Sequence, residues 1–246
     1  ALPICSGDSS MYLVRVGEEG NELWSKIFDQ GDRSVGRSMV RTSDGSFLIA
    51  GEATTNDQSD MLLLRVDQDG ALISEQAIGY PTTNEQLSEI VAVPGEDTYL
   101  LVGSTANVDS FKAGDQARDT HDIFLVKVDA SGNEIWRQRY GNLGRDVGNA
   151  VLALSADSIA VLGTTDFSEE AARGQQNLRL LLLNGDGRLL DARTYGGVES
   201  QLGSDLLPAE GGGLLLVGTQ QSATDTSIYL VKTTTDLSID QVRTLS

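Results

Sequence analysis

The chain is poor in the residue types that metal sites, disulfide frameworks and many active sites require. Its 246 residues include one cysteine, Cys5, one histidine, His121, and four prolines. A single cysteine excludes an internal disulfide, and a single histidine excludes a multi-histidine metal site. No apolar run approaches the roughly 18 residues that a membrane-spanning helix needs. The fold must therefore be held together by packing and hydrogen bonds.

Positive charge is also scarce. Eighteen Lys and Arg residues face 36 Asp and Glu residues, which gives a formal net charge of −18. Nucleic acid and anionic membranes would repel such a surface, so neither is expected as a partner. The acidity mainly favours solubility, and a cationic or calcium-dependent partner is the alternative.

The chain is rich in one repeated pattern of short apolar runs separated by turn residues. Four of the runs close on a glycine, at Gly51, Gly103, Gly163 and Gly218. The runs are five or six residues long and rich in Val, Ile and Leu, which predicts strands rather than helices. The closing glycines recur at intervals of about 52 to 60 residues, a period typical of β-propeller blades.

We therefore predict an all-β fold, a β-propeller of four-stranded antiparallel blades with strands A to D in chain order. One domain, 1–246, would comprise an N-terminal segment 1–10, a half-blade 11–28 and full blades 36–79, 87–141, 148–196 and 204–245. The count indicates a five-bladed ring with a short first blade, or a ring whose missing strands lie upstream of Ala1. Closure of the ring is expected, since an open ring leaves unpaired strand edges.

The connections of such blades divide between two edges of the ring. The A–B and C–D turns lie at one edge, and their glycines and asparagines predict tight hairpins. The other edge receives the B–C and D–A connections. These are expected to be long, at 104–121 and 164–176 for B–C, and at 30–37, 80–88, 141–148 and 197–204 for D–A. Loops of such length tend to carry function.

A ligand site is therefore expected at this second edge. The candidate ligand-binding residues there are Phe111, Lys112, Arg118, His121, Arg145, Asp146 and Phe167. An aromatic side chain among charges suits recognition of a sugar or a protein segment. The alternative is a solvated loop, and local charge pairing explains Arg145 and Asp146 without a ligand.

The sequence identifies no catalytic residue, metal ligand or cofactor. There is no nucleophile motif around His121 and no phosphate-binding loop. The Asp-Gly strings are turns rather than calcium loops, because they lack the spaced ligand series that calcium requires. Carboxylate pairs are the remaining catalytic option. Asp146 and Asp205, on or near strand A, are expected to face an axial pocket if the chain cleaves carbohydrate.

Two further positions repeat and are expected to be architectural. Trp24 and Trp136 take equivalent places on strand D, which indicates packing between blades. Cations recur near the end of strand C, where an apolar stem would lie along the sheet and the charged head would reach nearby carboxylates. They are Arg15, Arg65, Lys127 and Lys232, and one unit has Leu182 instead.

The assembled pattern resembles the bacterial seven-bladed β-propeller repeat family. The matching residues include Asp122 to Lys127, Tyr140-Gly141, Asp146, Gly148 and Leu162 to Phe167, and Tyr195-Gly196-Gly197 matches again. The tryptophans on strand D are also similar to those of quinoprotein-type propellers. The family resemblance implies extracytoplasmic binding or structural roles and no shared catalytic residues.

The leading functional hypothesis is an extracytoplasmic scaffold, periplasmic, secreted or at the cell surface, that binds a protein or glycan. Cys5 near the start is a candidate lipid-anchor site, although Ile4 before it is larger than such processing usually accepts. Two alternatives stay open: a carbohydrate-active hydrolase with axial carboxylates, and a purely structural module of a larger envelope protein.

Overall fold

A computed structural model describes residues 9–106, 121–141, 144–166 and 176–245. These residues form one two-stranded and four four-stranded antiparallel sheets. The two-stranded sheet contains β1 (Met11–Val16) and β2 (Glu22–Phe28). The first full sheet contains β3 (Arg33–Arg41), β4 (Phe47–Thr55), β5 (Gln58–Val66) and β6 (Leu72–Ile78).

The remaining three sheets repeat the same order. The second contains β7 (Glu85–Ala92), β8 (Thr98–Ala106), β9 (His121–Asp129) and β10 (Glu134–Tyr140). The third contains β11 (Asp146–Ser155), β12 (Ser158–Thr165), β13 (Asn177–Leu183) and β14 (Leu189–Tyr195). The fourth contains β15 (Ser200–Pro208), β16 (Leu214–Gln221), β17 (Thr226–Thr233) and β18 (Ile239–Leu245).

In every full sheet the strands pair in chain order, as A, B, C and D. The predicted β-propeller of four-stranded antiparallel blades is confirmed. The sheet β1–β2 has the register of strands C and D alone, since Arg15 pairs with Trp24 as Lys127 pairs with Trp136. The full sheets begin at Arg33, Glu85, Asp146 and Ser200, which is two to four residues before the predicted blade starts.

The C–D turns follow the predicted turn chemistry. Gly20, Gly70, Gly132 and Gly187 all have positive φ there, which short hairpins require. In the fourth full blade the same place is held by Leu237, with φ of 64°. Leu237 is buried, and its carbonyl accepts a hydrogen bond of 2.7 Å from the Tyr195 hydroxyl of the preceding blade. At this turn, contacts with the preceding blade therefore stabilise the positive φ that glycine adopts in the other blades.

The closing glycines of strand B lie where strand A bulges. The A–B register shifts by one residue directly after Gly36, Leu87, Gly148 and Gly203, and a β-bulge brings the two backbones close together. A Cβ atom on Gly103 would lie 1.8 Å from the carbonyl oxygen of Gln86. Only glycine fits at such a distance, which explains the repeated residue that marks each blade in the sequence.

Each junction between consecutive sheets is filled by an apolar layer. Between the first two full blades, Leu48 and Met61 pack against Ile90 and Leu101. Similar layers fill the later junctions and the junction between β1–β2 and the first full blade. The A strands β3, β7, β11 and β15 contact one another in succession, so they lie innermost. Within the described residues, no comparable contact joins β15–β18 with β1–β6.

Side chains also bond to backbone groups across the junctions between full blades, next to the bulges of β7, β11 and β15. Glu52 accepts from the Leu87 backbone N–H at 3.1 Å, and Thr164 accepts from the Gly203 N–H at 2.9 Å. The Ser88 hydroxyl donates to the Gly148 carbonyl at 2.7 Å. A bulge disrupts the A–B ladder, and these contacts satisfy backbone groups beside it.

The repeated tryptophans pack between blades. The Trp24 ring lies against Gly70 and the Trp136 ring against Gly187, each a turn residue of the next blade. The cations of strand C behave as expected in three blades: Arg65 pairs with Asp44 at 2.5 Å, Lys127 with Glu96 at 2.8 Å, and Lys232 with Asp240 at 3.0 Å. Arg15 instead donates to the carbonyl oxygen of Gln68 at 2.9 Å.

Candidate functional site at the long-loop edge

The B–C and D–A connections share one edge of the sheets, which we call the long-loop edge. The D–A connections at this edge are shorter than predicted, since they span 29–32, 79–84, 141–145 and 196–199. The sequence expectation was wrong here because the first residues of strand A are polar and resemble a loop.

The B–C connections at the long-loop edge are unequal. The pair β4–β5 is joined by a two-residue turn, Asn56-Asp57, in which both residues have positive φ. The fourth full blade uses residues 222–225 for the same purpose. Residues 107–120 connect β8 to β9 and residues 166–176 connect β12 to β13. The predicted site residues Phe111, Lys112, Arg118 and Phe167 fall outside the part of the chain that the structure describes.

Three predicted site residues are described. His121 is the first residue of β9 and pairs with Ala106. Arg145 is held against Asp166, because the Arg145 N–H donates to Asp166 Oδ1 at 2.6 Å and the Asp166 N–H donates to the Arg145 carbonyl at 3.1 Å. Asp146 was predicted in the connection but is the first residue of β11 and is fully buried.

Asp146 belongs to a set of buried polar residues that open strand A. The set is Ser34, Glu85, Asp146 and Gln201, and none is more than 1% exposed. Apolar patterning cannot reveal such residues, and of the four only Asp146 was predicted as a site residue. Their burial places them between blades, at the base of the long-loop edge.

A glycine of the preceding D–A connection makes room for these polar side chains. A Cβ atom on Gly79 would lie 2.1 Å from Asp60 Oδ1 and 2.4 Å from Glu85 Oε2. One on Gly196 would lie 1.9 Å from Asn177 Oδ1 and 2.6 Å from Gln201 Oε1. We call Asp60–Glu85 and Asn177–Gln201 junction pairs, because each joins strand C of one blade to strand A of the next.

The Asp60–Glu85 junction pair is acidic, with Glu85 fully buried and Asp60 partly exposed. The hydroxyls of Thr83 and Thr105 donate to Glu85 Oε1, the second at 2.6 Å. Burial raises the pKa of Glu85, and the neighbouring Asp60 carboxylate raises it further. Burial and a neighbouring negative charge both disfavour the ionised form of a carboxyl group, so the protonated form of Glu85 is favoured. This pair is a structural element rather than an exposed reactive group.

The two residues of the proposed catalytic pair, Asp146 and Asp205, lie in different environments. Asp146 is enclosed between blades, whereas Asp205 is exposed in the middle of β15. The axial carboxylate beside Asp205 is Glu89 on β7, which sequence reasoning missed. Burial raises the pKa of Glu89, and the Asp205 charge adds to the effect. Glu89 Oε2 also accepts from the Val151 N–H at 3.0 Å, so Glu89 bridges two blades.

Among the described residues, no three His, Cys, Asp or Glu side chains converge as a metal site would require. The expectation of no cofactor, with calcium as the exception, stays a prediction. Across the same residues, no helix has the length and apolarity that crossing a membrane takes.

The comparisons with known proteins agree with the fold. A family model described as "Domain of unknown function (DUF5122) beta-propeller" matches residues 42–72, from the first A–B turn to the start of β6. Hydrazine Synthase of Kuenenia stuttgartiensis superimposes with a TM-score of 0.54 at 13% identity, over 92% of this chain and 57% of that chain. The chain is therefore built as a β-propeller, and the narrower seven-bladed repeat family is not confirmed.

One curated protein is related in sequence. The chain is 26% identical over 171 residues to "Regulatory protein FlaEY" of Caulobacter vibrioides. The match covers 62% of this chain but only 18% of that protein. The chain thus corresponds to a small part of the length of this relative.

Proposed function

We propose that this β-propeller is an extracytoplasmic binding scaffold that recognises a protein or a glycan through its long-loop edge. The observation that carries the proposal is the asymmetry between the edges. Among the described residues the opposite edge has only tight turns, whereas residues 107–120 and 166–176 join strands at the long-loop edge. Binding residues tend to concentrate in loops that a rigid scaffold holds in place.

The rest of the molecule supports binding rather than chemistry at the core. The junctions between blades are filled by apolar side chains, and the net charge of −18 disfavours nucleic acid. FlaEY is described as a regulatory protein, and regulation through association with a partner suits a β-propeller. The extracytoplasmic location, the lipid anchor at Cys5 and the kinship with the seven-bladed repeat family belong to this proposal.

The chain offers its own matched loop replacement. Ala106 pairs with His121 in the register in which Thr54 pairs with Ser59. Residues 107–120 can therefore be replaced by a copy of residues 55–58, Thr-Asn-Asp-Gln, without shifting the ladder. Residues 166–176 can be replaced in the same way by a copy of residues 54–59, because Thr165–Asn177 corresponds to Ala53–Asp60.

Binding would be measured on a glycan array and on a panel of envelope proteins from the source organism. We expect a ligand of the intact chain to be lost in at least one loop replacement while the melting temperature stays the same. A ligand that binds both replacements as tightly as the intact chain would refute the long-loop edge as the site. Fractionation of cells that express the full-length gene, with Cys5→Ser as the control, tests the location and the anchor.

A carbohydrate hydrolase at the axis is the second candidate, and the Glu89–Asp205 neighbourhood is the observation that favours it. A carboxyl group of raised pKa next to an exposed carboxylate fits the acid and base roles of glycoside cleavage. Reducing-sugar release from array-positive glycans, lost in both Glu89→Gln and Asp205→Asn, would support it. Binding without release would leave the scaffold as the function.

A further inference from the structure

Equivalent residues of strand A are covered to very different degrees. Met39, Ile90, Val151 and Leu206 face Ile49, Leu101, Val161 and Leu216 on their B strands. Met39 is 48% exposed, whereas each of the other three is 3% exposed. All four side chains are large and apolar, so the difference arises from what covers them.

Met39 is exposed because no strand B of the described residues packs over it. Ile90 packs against Leu48 and Ala50 of β4 and against strand C of the same blade. At the first junction, β1 provides the strand C contacts through Met11 and Leu13. Within the described residues β1 pairs only with β2, so its other edge has no strand partner. Met39 is exposed at the place where a strand B would lie.

The space beside the free edge of β1 is a groove. One cavity of about 430 Å³ is lined by Leu13, Trp24, Met39 and Phe47 among others. A second, of about 180 Å³, continues along β1 and reaches Gly36 and Ile49. The first full blade lines the groove with apolar Met39, Phe47 and Ile49 and with polar Arg37, Arg41 and Gln68, and residues of β1 line the other wall.

The hydrogen bonding of Arg15 indicates that the groove lacks a negatively charged group among its described residues. In the first two full blades the cation of strand C binds a carboxylate in the A–B turn of its own blade, as Arg65 does with Asp44 and Lys127 with Glu96. The half-blade has no A–B turn within the described residues, and Arg15 donates to the Gln68 carbonyl of the next blade.

Trp24, next to this contact of Arg15, differs from the equivalent Trp136 in its hydrogen bonding. At the later junction, Trp136 Nε1 donates to the Gly185 carbonyl at 3.2 Å, and Gln68 is the equivalent residue for Trp24. Arg15 occupies the Gln68 carbonyl, and Trp24 Nε1 is buried without a hydrogen-bond partner in the described part of the chain. An acidic A–B turn would draw Arg15 away and free the carbonyl for Trp24.

We propose that the free edge of β1 is a strand-addition site for a β-hairpin of the A–B type of this same repeat. Its strand B would pair antiparallel with β1 and place apolar or small side chains, equivalent to Leu48 and Ala50, over Met39 and Ile49. Its turn would carry an Asp or Glu for Arg15. Backbone pairing gives affinity in such additions and side-chain pockets give specificity. The site is distinct from the long-loop edge.

The test is a graft that completes the blade. A copy of residues 33–58 is joined to Ser9 in place of residues 1–8, since Ser9 and Met11 are equivalent to Ser59 and Met61. The matched control carries L48K and A50D in the copied segment, and a second control lacks residues 1–8 without any graft. We expect hydrogen exchange of the β1 amides to slow by about 30-fold or more in the graft alone.

A probe in trans keeps the proposal testable if the graft misfolds. A synthetic peptide copy of residues 33–55 is titrated into the intact chain carrying Trp136→Phe, so that fluorescence reports Trp24. We expect a saturable change that a D44N peptide reduces several-fold and an L48K/A50D peptide abolishes. Equal signals from all three peptides, or β1 exchange in the graft as fast as in its matched control, would overturn the proposal.

Two other occupants of the groove would give different results in the hydrogen-exchange experiment. If removal of residues 1–8 alone speeds β1 exchange, that segment already occupies the edge and the proposal fails. If β1 exchange in the intact chain slows with rising protein concentration and the chain sediments as a dimer, the groove belongs to a second copy and the proposal fails as well.

Discussion

The first junction, between the half-blade and the first full blade, and the second junction, between the first two full blades, are built from equivalent residues. Ile90 is enclosed by strands B and C of its neighbour, whereas Met39 meets strand C alone and is half exposed. The apolar runs look alike in the sequence. What a residue contributes to stability is therefore set by the strand that covers it, and substitutions at equivalent positions can measure this.

The largest contrast is expected between Ile90→Ala and Met39→Ala. Ile90→Ala leaves a cavity in a closed apolar layer and should lower the free energy of unfolding by about 3 kcal/mol. Met39→Ala removes a half-exposed side chain and should cost about 0.5 kcal/mol. Urea unfolding followed by circular dichroism measures both. Equal losses would mean that the first junction is as closed as the second.

Trp24 and Trp136 lie at equivalent positions of two junctions and differ in one hydrogen bond of the indole N–H. Trp136→Ala should cost about 3 kcal/mol, because the ring packs on Gly187 and its N–H bonds to Gly185. Trp24→Ala should cost about 1 kcal/mol less, since its N–H makes no such bond. The order would be contradicted if Trp24→Ala proved the more damaging change in the same urea assay.

The junction pairs should differ in their response to pH. Glu85 has a raised pKa, so the folded chain keeps a proton that the unfolded chain loses above about pH 4.3. Its contribution to stability therefore falls as pH rises through the window between the unfolded and the folded pKa. Glu85→Gln should remove this dependence and raise stability at pH 8 by about 1 kcal/mol, because an amide can donate to Asp60.

The reverse substitution is the control for this prediction. Gln201→Glu places a carboxylate in the Asn177 junction pair and should lower stability at pH 8 but much less at pH 4. Thermal unfolding of both variants across this range measures the effect. A pH profile that Glu85→Gln leaves unchanged would mean that Glu85 is not the group that titrates.

The smallest effects are expected at the cations of strand C. The Lys127 side chain is buried against Glu96, and Lys127→Met should cost about 1 kcal/mol. Lys232 and Asp240 form an exposed pair, and Lys232→Met should change stability by less than about 0.5 kcal/mol. Added salt should not lower the stability of either variant further, because the ion pair that salt would screen is absent from both. A larger loss at Lys232 would refute the ranking by burial.

The sequence pattern predicted the features that local chemistry determines. Turn residues and closing glycines such as Gly103 are required by backbone geometry, and the closing glycine recurs in strand B of each of the four full blades. Leu237 was missed because packing, not residue type, supports its positive φ. Buried polar residues such as Glu85 were missed because they look like loop residues. The unpaired edge of β1 could not be predicted, because an apolar run in the sequence does not show which strand packs against it.

The candidate site was predictable only in outline. Connection lengths identified the edge, because chain between strands can be counted. Asp146 was expected in a connection and instead begins β11, and its enclosure between blades depends on contacts with other strands. The Glu89–Asp205 neighbourhood brings together residues on β7 and β15, and no local pattern relates them.

The contacts beside the strand A bulges imply nearest-neighbour coupling along the array. Glu52 and Thr164 complete the hydrogen bonding of backbone groups that belong to the following blade. A blade cut from the chain would lose partners for its own peptide groups as well as its apolar cover. Cooperativity should therefore grow with the number of consecutive blades, and melting should begin at the terminal sheets and spread inward.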